Sequence, residues 1–261
     1  MSAPAYASSL LIDELPQGVV VLTINRPAAR NAVDLATAEA ISRTFDVLDD
    51  DPECRAIVLA GAGGHFSAGM DLKAFRATGE RPVDAKRGAF GLVRKPPSTP
   101  LIAAVEGAAV GGGFEMALAC DLIVAAENAV FGLPEVRRGL TAAGGGLLRL
   151  PSRIPYHLAM EAILTGRQLS TAWCAERGLV NRVAEPGHAR RLAVELAEEI
   201  GRNGPLAVRA SKQVIVESGD WSAAEAFAQQ EAIVDPVRHS ADAREGAAAF
   251  AEKREPRWSG S

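Results

Sequence analysis

A chain of 261 residues that is 48% hydrophobic and 23% charged has ample apolar material for a sizeable core and exceeds the usual size of one compact domain. Its formal net charge of −4 leaves no positive footprint for nucleic acid, and no run of ~18 apolar residues is present to span a membrane. Three widely spaced cysteines, Cys54, Cys120 and Cys174, form no CxxC pair, which points to buried free thiols in a reducing cytoplasm rather than to disulfides or metal ligands.

Met1 to Ser9 is polar, with no basic region followed by an apolar run, so no secretory leader is expected. Gly18 to Ile24 is a β-branched run between Pro16 and the turn Asn25-Arg26-Pro27, and reads as a strand. Leu35, Ala38, Ile41, Phe45 and Leu48 recur at helical spacing up to the acidic break Asp49-Asp50-Asp51-Pro52. Ala56 to Ala60 is a second buried strand, followed by a small-residue loop from Gly61 to Gly69. Residues 73–100 are polar and close with Pro96-Pro97 and Pro100, as a surface insertion with some helix would. Leu101 to Val105 is a third strand, and Gly107 to Gly113 leads into an apolar helix from Phe114 to Cys120. Leu122 to Ala125 and Ala129 to Phe131 are short strands, and the repeated strand–turn–helix order predicts an α/β fold. From Tyr156 onward helices dominate, with Ser170 and Ser240 as N-caps and one strand from Leu179 to Val183. The boundaries place a catalytic core at residues 1–200 and a helical subdomain at 201–261 that packs on a neighbouring subunit.

Two glycine-rich turns carry the functional question. Gly61-x-Gly63 follows a strand, but the third position of a dinucleotide motif is Phe66; Gly111-Gly112-Gly113 lacks the frame and the lysine of a phosphate loop. Nucleotide chemistry is thereby disfavoured. Ser67-Ala68-Gly69-Met70-Asp71 follows a strand and Gly111-Gly112-Gly113-Phe114-Glu115 opens a helix. Glycine admits sharp bends and close approach, and a helix N-terminus leaves N–H groups unpaired. Two such turns either converge on one oxygen as an oxyanion hole or are simply tight turns.

The strings NRPAARNA (25–32), HFSAGMDL (65–72), VEGAAVGGGFEMALACDLIVA (105–125), FGLPEVRRGL (131–140), LTGRQLSTAWCAERGLVNRV (164–183) and FAEKR (250–254) together resemble the crotonase, or enoyl-CoA hydratase/isomerase, superfamily. The resemblance covers nearly the whole chain in order. It implies a spiral of ββα units with a helical C-terminal region used in trimerisation, trimers often pairing into hexamers. It also implies an acyl-CoA thioester as substrate, with coenzyme A entering as part of that substrate and no separate cofactor. The oxyanion N–H groups implied are those of Ala68 and Gly112. Ala68, Gly69, Met70, Asp71, Leu72 and Gly111 would line the path of the CoA arm, while Arg30 and, across a subunit boundary, Lys253 would meet its phosphates.

Glu115 and Glu135, twenty residues apart, match the carboxylate pair of hydratases in that family. Addition of water across a conjugated double bond needs one base for water and one acid for the α-carbon. The resemblance gives water activation to Glu115 and α-carbon proton exchange to Glu135, with Phe114, Phe131 and Leu133 as an apolar wall. Read without it, Glu115 is a helix-terminal charge and Glu135 a surface residue. Asp71 is expected to brace the first turn through backbone hydrogen bonds, Trp173 and Trp221 to serve core or interface, and the four histidines to bind no metal. One departure concerns Gly139-Leu140-Thr141-Ala142-Ala143-Gly144-Gly145-Gly146, which lacks the proline of many hydratases where the loop lines the acyl end. The expected activity is hydration of a 2-enoyl-CoA. The alternatives are carnitinyl-CoA dehydration or enoyl-CoA isomerisation on the same scaffold, and non-catalytic acyl-CoA binding.

Overall fold

The computed structural model describes residues 9–261, so the leader expectation for the N-terminus lies outside the described residues, Ser9 excepted. Strands run at Leu10–Leu15 (β1), Val19–Ile24 (β2), Ala56–Gly61 (β3), Val83–Asp84 (β4), Gly88–Ala89 (β5), Leu101–Val105 (β6), Ala108–Val110 (β7), Leu122–Ala126 (β8), Val130–Gly132 (β9), Leu169–Ser170 (β10) and Arg182–Ala184 (β11). The helices are Leu35–Asp50 (α1), Leu72–Thr78 (α2), Gly112–Ala119 (α3), Gly146–Arg153 (α4), Tyr156–Thr165 (α5), Thr171–Ala175 (α6), Ala189–Gly201 (α7), Pro205–Glu217 (α8), Ala226–Arg238 (α9) and Ala241–Glu252 (α10).

The main sheet has the order β1-β2-β3-β6-β8-β11. Its first pair is antiparallel and the rest are parallel. Strands of a parallel sheet covered on both faces read as unbroken apolar runs, and β2, with every residue buried, is such a run. Alternate side chains then part company, as the two-residue period requires. Val19, Val21, Val58, Ile102 and Val124 join Ala193 and Ala197 of α7 in one apolar layer. Leu22, Ile24, Ile57, Leu59, Ala103, Val105 and Ile123 face the other way, into a larger core with α1 and α3. A smaller sheet, β10-β9-β7, completes the α/β core.

The junction between β7 and α3 places the site. The chain pauses only at Gly111 between them, and single bridges tie the loop before α2 to β7, Ser67 to Ala109, and to the segment before α1, Met70 to Val33. Gly113 packs so tightly on that loop that a Cβ there would fall 2.0 Å from the Ser67 carbonyl oxygen. No side chain fits such a gap.

Three local expectations need correction. β1 and β7 are strands that the sequence reading passed over: β1 is a half-exposed edge strand and β7 only three residues long. The late strand is Arg182–Ala184, because Leu179 and Val180 are drawn into the core behind α6 before the backbone reaches β8. Residues 73–100 are not wholly superficial either. α2 is exposed, but Arg87, Phe90, Leu92 and Val93 are buried. Arg87, 2% exposed, donates to Asp46 and Asp49 of α1 and to the Lys95 carbonyl, so a polar segment is pulled inward by an ion pair whose alternative is an uncompensated buried charge.

The C-terminal helices hold to the core by polar contacts. Arg209 reaches the carbonyls of Asp49 and Cys54, and Lys212 pairs with Asp121. Ser170 and Ser240 cap α6 and α10 as expected, and all three cysteines are buried and free. Within α9 no residue is buried, and Phe227 and Phe250 are 81% and 88% exposed. No described helix is long and apolar enough to cross a membrane.

Gly178, unlike Gly113, has a positive φ of 73° and open space around it. Gly178→Ala is expected to cost about 1–2 kcal/mol from its left-handed backbone alone, whereas Gly113→Ala should cost several-fold more or abolish the folded state. Urea unfolding of both variants measures the contrast, and equal costs would contradict the packing at Gly113.

Candidate active site

The first turn is built by a network around Arg26 and Asn31. The buried Asn31 side chain donates to the carbonyls of Ala62 and His65 and accepts from the Arg26 amide. Arg26 pairs with Asp34 and Asp71 and donates to the Ala32 carbonyl. Asp71 in turn accepts from the amides of Lys73 and Ala74, capping α2, and these donors hold its carboxyl below the usual range against the opposing effect of burial. The bracing role expected for Asp71 is thus visible in its contacts.

The amides of this turn decide which of them a ligand can use. Ala68 N–H donates to the Arg30 carbonyl at 2.9 Å, Gly69 N–H to Ser67 Oγ at 3.1 Å, and Asp71 N–H to the Val33 carbonyl at 2.9 Å. Among the described residues only the Met70 N–H of this run has no acceptor in the protein. The expected donor Ala68 is therefore corrected. Its hydrogen is already engaged, because Arg30 takes a left-handed backbone (φ 51°) that turns its carbonyl toward the loop. Ala68 remains a half-buried wall of the turn.

The second turn is Gly111, with φ 57° and ψ −129°, its N–H bound to the Gly132 carbonyl. That conformation suits glycine alone. α3 then starts at Gly112, whose N–H, like the others of a first helical turn, has no intrahelical partner. The two turns meet here: a Cβ on Gly69 would lie 2.6 Å from the Gly112 nitrogen. Met70 and Gly112 thus present adjacent, unengaged amides beside the positive end of a helix.

Glu115 sits in the first turn of α3 and is 3% exposed. Its Oε1 accepts from the Gly146 amide at 3.0 Å. Burial raises its pKa foremost and the neighbouring Glu135 charge raises it further, while the Gly146 and Gly144 amides and Arg149 oppose the rise. Glu135 follows Pro134 in a 3-10 turn after β9. Its Oε2 is buried without a hydrogen-bond partner, its Oε1 lies 3.2 Å from where a Gly111 Cβ would be, and burial raises its pKa as well. Of the expected apolar wall, Phe114, Phe131 and Leu133 are all buried, the two rings 5.3 Å apart, and Leu133 meets Glu115 beside Gly146.

The loop that departs from the common hydratase pattern is in contact with this site. A Cβ on Gly144 would fall 2.5 Å from Glu115 Oε2, and one on Gly146 would crowd Leu133 and Glu115. Sequence reasoning missed Phe90, whose ring lies against Gly112 and Gly144. An aromatic set between Gly88 and Gly91 in a polar stretch was the available signal. Leu72 and Arg30 are exposed beside the first turn. Lys253 is exposed at the left-handed C-cap of α10, and no hydrogen bond or ion pair among the described residues joins it to the two turns. No described group of three or more His, Cys, Asp or Glu is placed to hold a metal ion.

The sequence profile of the enoyl-CoA hydratase/isomerase family matches residues 14–261. The chain is 43% identical over 247 residues to enoyl-CoA hydratase EchA19 of Mycobacterium tuberculosis, covering 92% of each. It is 41% identical over 251 residues to a carnitinyl-CoA dehydratase of Salmonella typhimurium, covering 93% of this chain and 95% of that one. Among solved structures, the enoyl-CoA hydratase EchA1 of Mycobacterium marinum superposes with a TM-score of 0.94 at 53% identity, covering 98% of this chain and all of that one.

A carboxyl with a higher pKa in the folded than in the unfolded chain costs stability once pH exceeds its folded value, and costs nothing below its unfolded one. Glu135→Gln should therefore raise the melting temperature at pH 8, by an amount that shrinks as pH falls and vanishes near about pH 4. Thermal scans across pH read this directly. A gain independent of pH would mean that Glu135 is not destabilised by ionisation.

Proposed function

We propose, from the premise that the chain belongs to the enoyl-CoA hydratase/isomerase, or crotonase, family and is an enzyme, that it adds water to a 2-enoyl-CoA. The observation that carries this reading is the pairing of two unengaged amides with a buried carboxyl, Glu115, and a half-buried one, Glu135, both of raised pKa, around one crossing of the backbone.

The thioester oxygen would accept from Met70 N–H and Gly112 N–H. As water attacks the β-carbon, electron density moves through the double bond onto that oxygen, where fixed donors stabilise it most; one donor of this kind is worth roughly 2.7–4 kcal/mol. Glu115 takes a proton from the attacking water as its oxygen bonds to the β-carbon. Glu135 delivers a proton to the α-carbon, and the enolate collapses back to the thioester. One water is consumed, one C–O and one C–H bond form, and the carboxyl pair exchanges its proton to reset. A carboxyl above its usual pKa is a stronger base when ionised and still able to donate near neutrality. The coenzyme A arm would lie along Ala68, Gly69, Asp71, Leu72 and Gly111, with Arg30 and a neighbouring subunit's Lys253 near its phosphates, and no separate cofactor is needed.

The similarity to carnitinyl-CoA dehydratases supports a second reading, in which the same groups run in the eliminating direction on a substrate of that kind. The exposed Phe227 and Phe250 and an α9 without a fully buried residue support assembly into trimers or hexamers through residues 201–261, with residues 1–200 as the catalytic core. A cytoplasmic setting in fatty-acid metabolism accords with this chemistry.

Loss of the conjugated-thioester absorbance on mixing with crotonyl-CoA is the assay. Glu115→Gln and Glu135→Gln should each lower kcat by about 10²–10⁴-fold while changing acyl-CoA affinity little; full activity in both would overturn the assignment. Sedimentation equilibrium is expected to give the mass of three or six chains, and a monomer at all concentrations would remove the role given to the helical tail.

A further inference from the structure

Phe90 is a bulky residue held at φ 58°, in a region that non-glycine residues rarely occupy, and yet it is 6% exposed. Backbone strain of this kind persists only where the surroundings enforce it. The enforcement is visible on both sides. Arg87 is clamped to Asp46 and Asp49, its guanidinium over the Phe45 ring. Asp84 accepts from the Lys86 and Arg87 amides and from Ser42 Oγ. Gly91 is pressed against α1, where a Cβ would lie 2.0 Å from the Ala38 carbonyl oxygen. On the far side Arg149 donates to the Val93 carbonyl at 2.6 Å, which fastens this loop to the helix that follows Gly144-Gly145-Gly146.

The ring is directed at the site. A Cβ on Gly112 would fall 2.1 Å from Phe90 Cζ, and one on Gly144 would fall 3.1 Å from Phe90 Cε2 and 2.5 Å from Glu115 Oε2. Phe90, Gly112, Gly144 and Glu115 therefore bound one small space. With the thioester oxygen on the Gly112 amide and the CoA arm along the turn at 68–72, the side of the thioester that faces Glu115 and Gly144 is the acyl side.

We propose that Phe90 is the specificity-determining residue of this enzyme: its ring ends the acyl pocket and restricts the substrate to short enoyl thioesters. The inference rests on the hydratase reading above. Because the ring is fixed at both flanks by ion pairs and hydrogen bonds, a long chain cannot displace it cheaply. Truncation should open the pocket without touching the reacting groups. Arg149, which lies beside Gly145 and donates to the Val93 carbonyl, ties the Gly139–Gly146 loop to the segment held by the Arg87 clamp.

The test compares kcat/KM for trans-2-enoyl-CoA esters of four, eight and twelve carbons in wild type, Phe90→Leu and Phe90→Ala, with the affinities of the matching saturated acyl-CoAs measured by calorimetry. Wild type should favour the four-carbon ester. Phe90→Ala should shift the twelve-to-four-carbon ratio by at least about tenfold, the worth of roughly two buried methylenes, and Phe90→Leu should fall between while melting near wild type. A uniform loss across all lengths in both variants, or a wild type that accepts twelve carbons as readily as four, would overturn the proposal. If wild type hydrates none of the esters, the hydratase reading fails separately. The calorimetric chain-length dependence then still decides whether Phe90 ends the pocket: a ratio moved by Phe90→Ala supports it, and an unmoved one overturns it.

Discussion

The site depends on one close crossing of main chain. The loop Ser67–Met70 and the start of α3 approach until neither Gly69 nor Gly113 has room for a methyl group. Interiors packed at such density are stiff, so the two amides at Met70 and Gly112 are fixed in relation to each other before any ligand arrives. Electrostatic stabilisation of a developing charge is effective because the dipoles need no reorganisation. The network of Arg26, Asn31 and Asp71 behind the first turn, and the β7–Gly111–α3 junction behind the second, serve that stiffness.

Against this rigid pair stands a deliberate electrostatic tension. The two carboxyls lie near enough for the Glu135 charge to act on Glu115, and burial pushes both pKa values upward. Glu115 is partly compensated by peptide donors from the glycine loop, whereas one oxygen of Glu135 has none. Buried polar groups without partners are uncommon and costly. A fold tolerates one where its reactivity is useful, and the dense core on both faces of the main sheet supplies the stability that offsets it.

Elsewhere the packing is looser and more polar. α8 is tied to the core through Arg209 and Lys212 rather than through a deep apolar seam, and α9 buries no residue fully within the chain. The contrast between an overdetermined core and an underburied tail follows the chain: dense packing in the first part, exposed apolar surface in the second.

The sequence by itself determined the α/β class, the buried central strands and the serine caps, because periodicity and capping are local properties. Composition at Gly111–Glu115 already marked a helix opening on glycines beside an acid. Tertiary structure alone decided which amide of residues 68–71 stays unengaged, since that turns on the Arg30 carbonyl, thirty-eight residues before Ala68 in no local pattern but adjacent in space. It also decided that Phe90, in a stretch polar enough to pass for surface, is drawn inward by Arg87 and laid over Gly112. Hydrogen-bond competition and buried ion pairs act between segments distant along the chain, and no pattern within either segment records them.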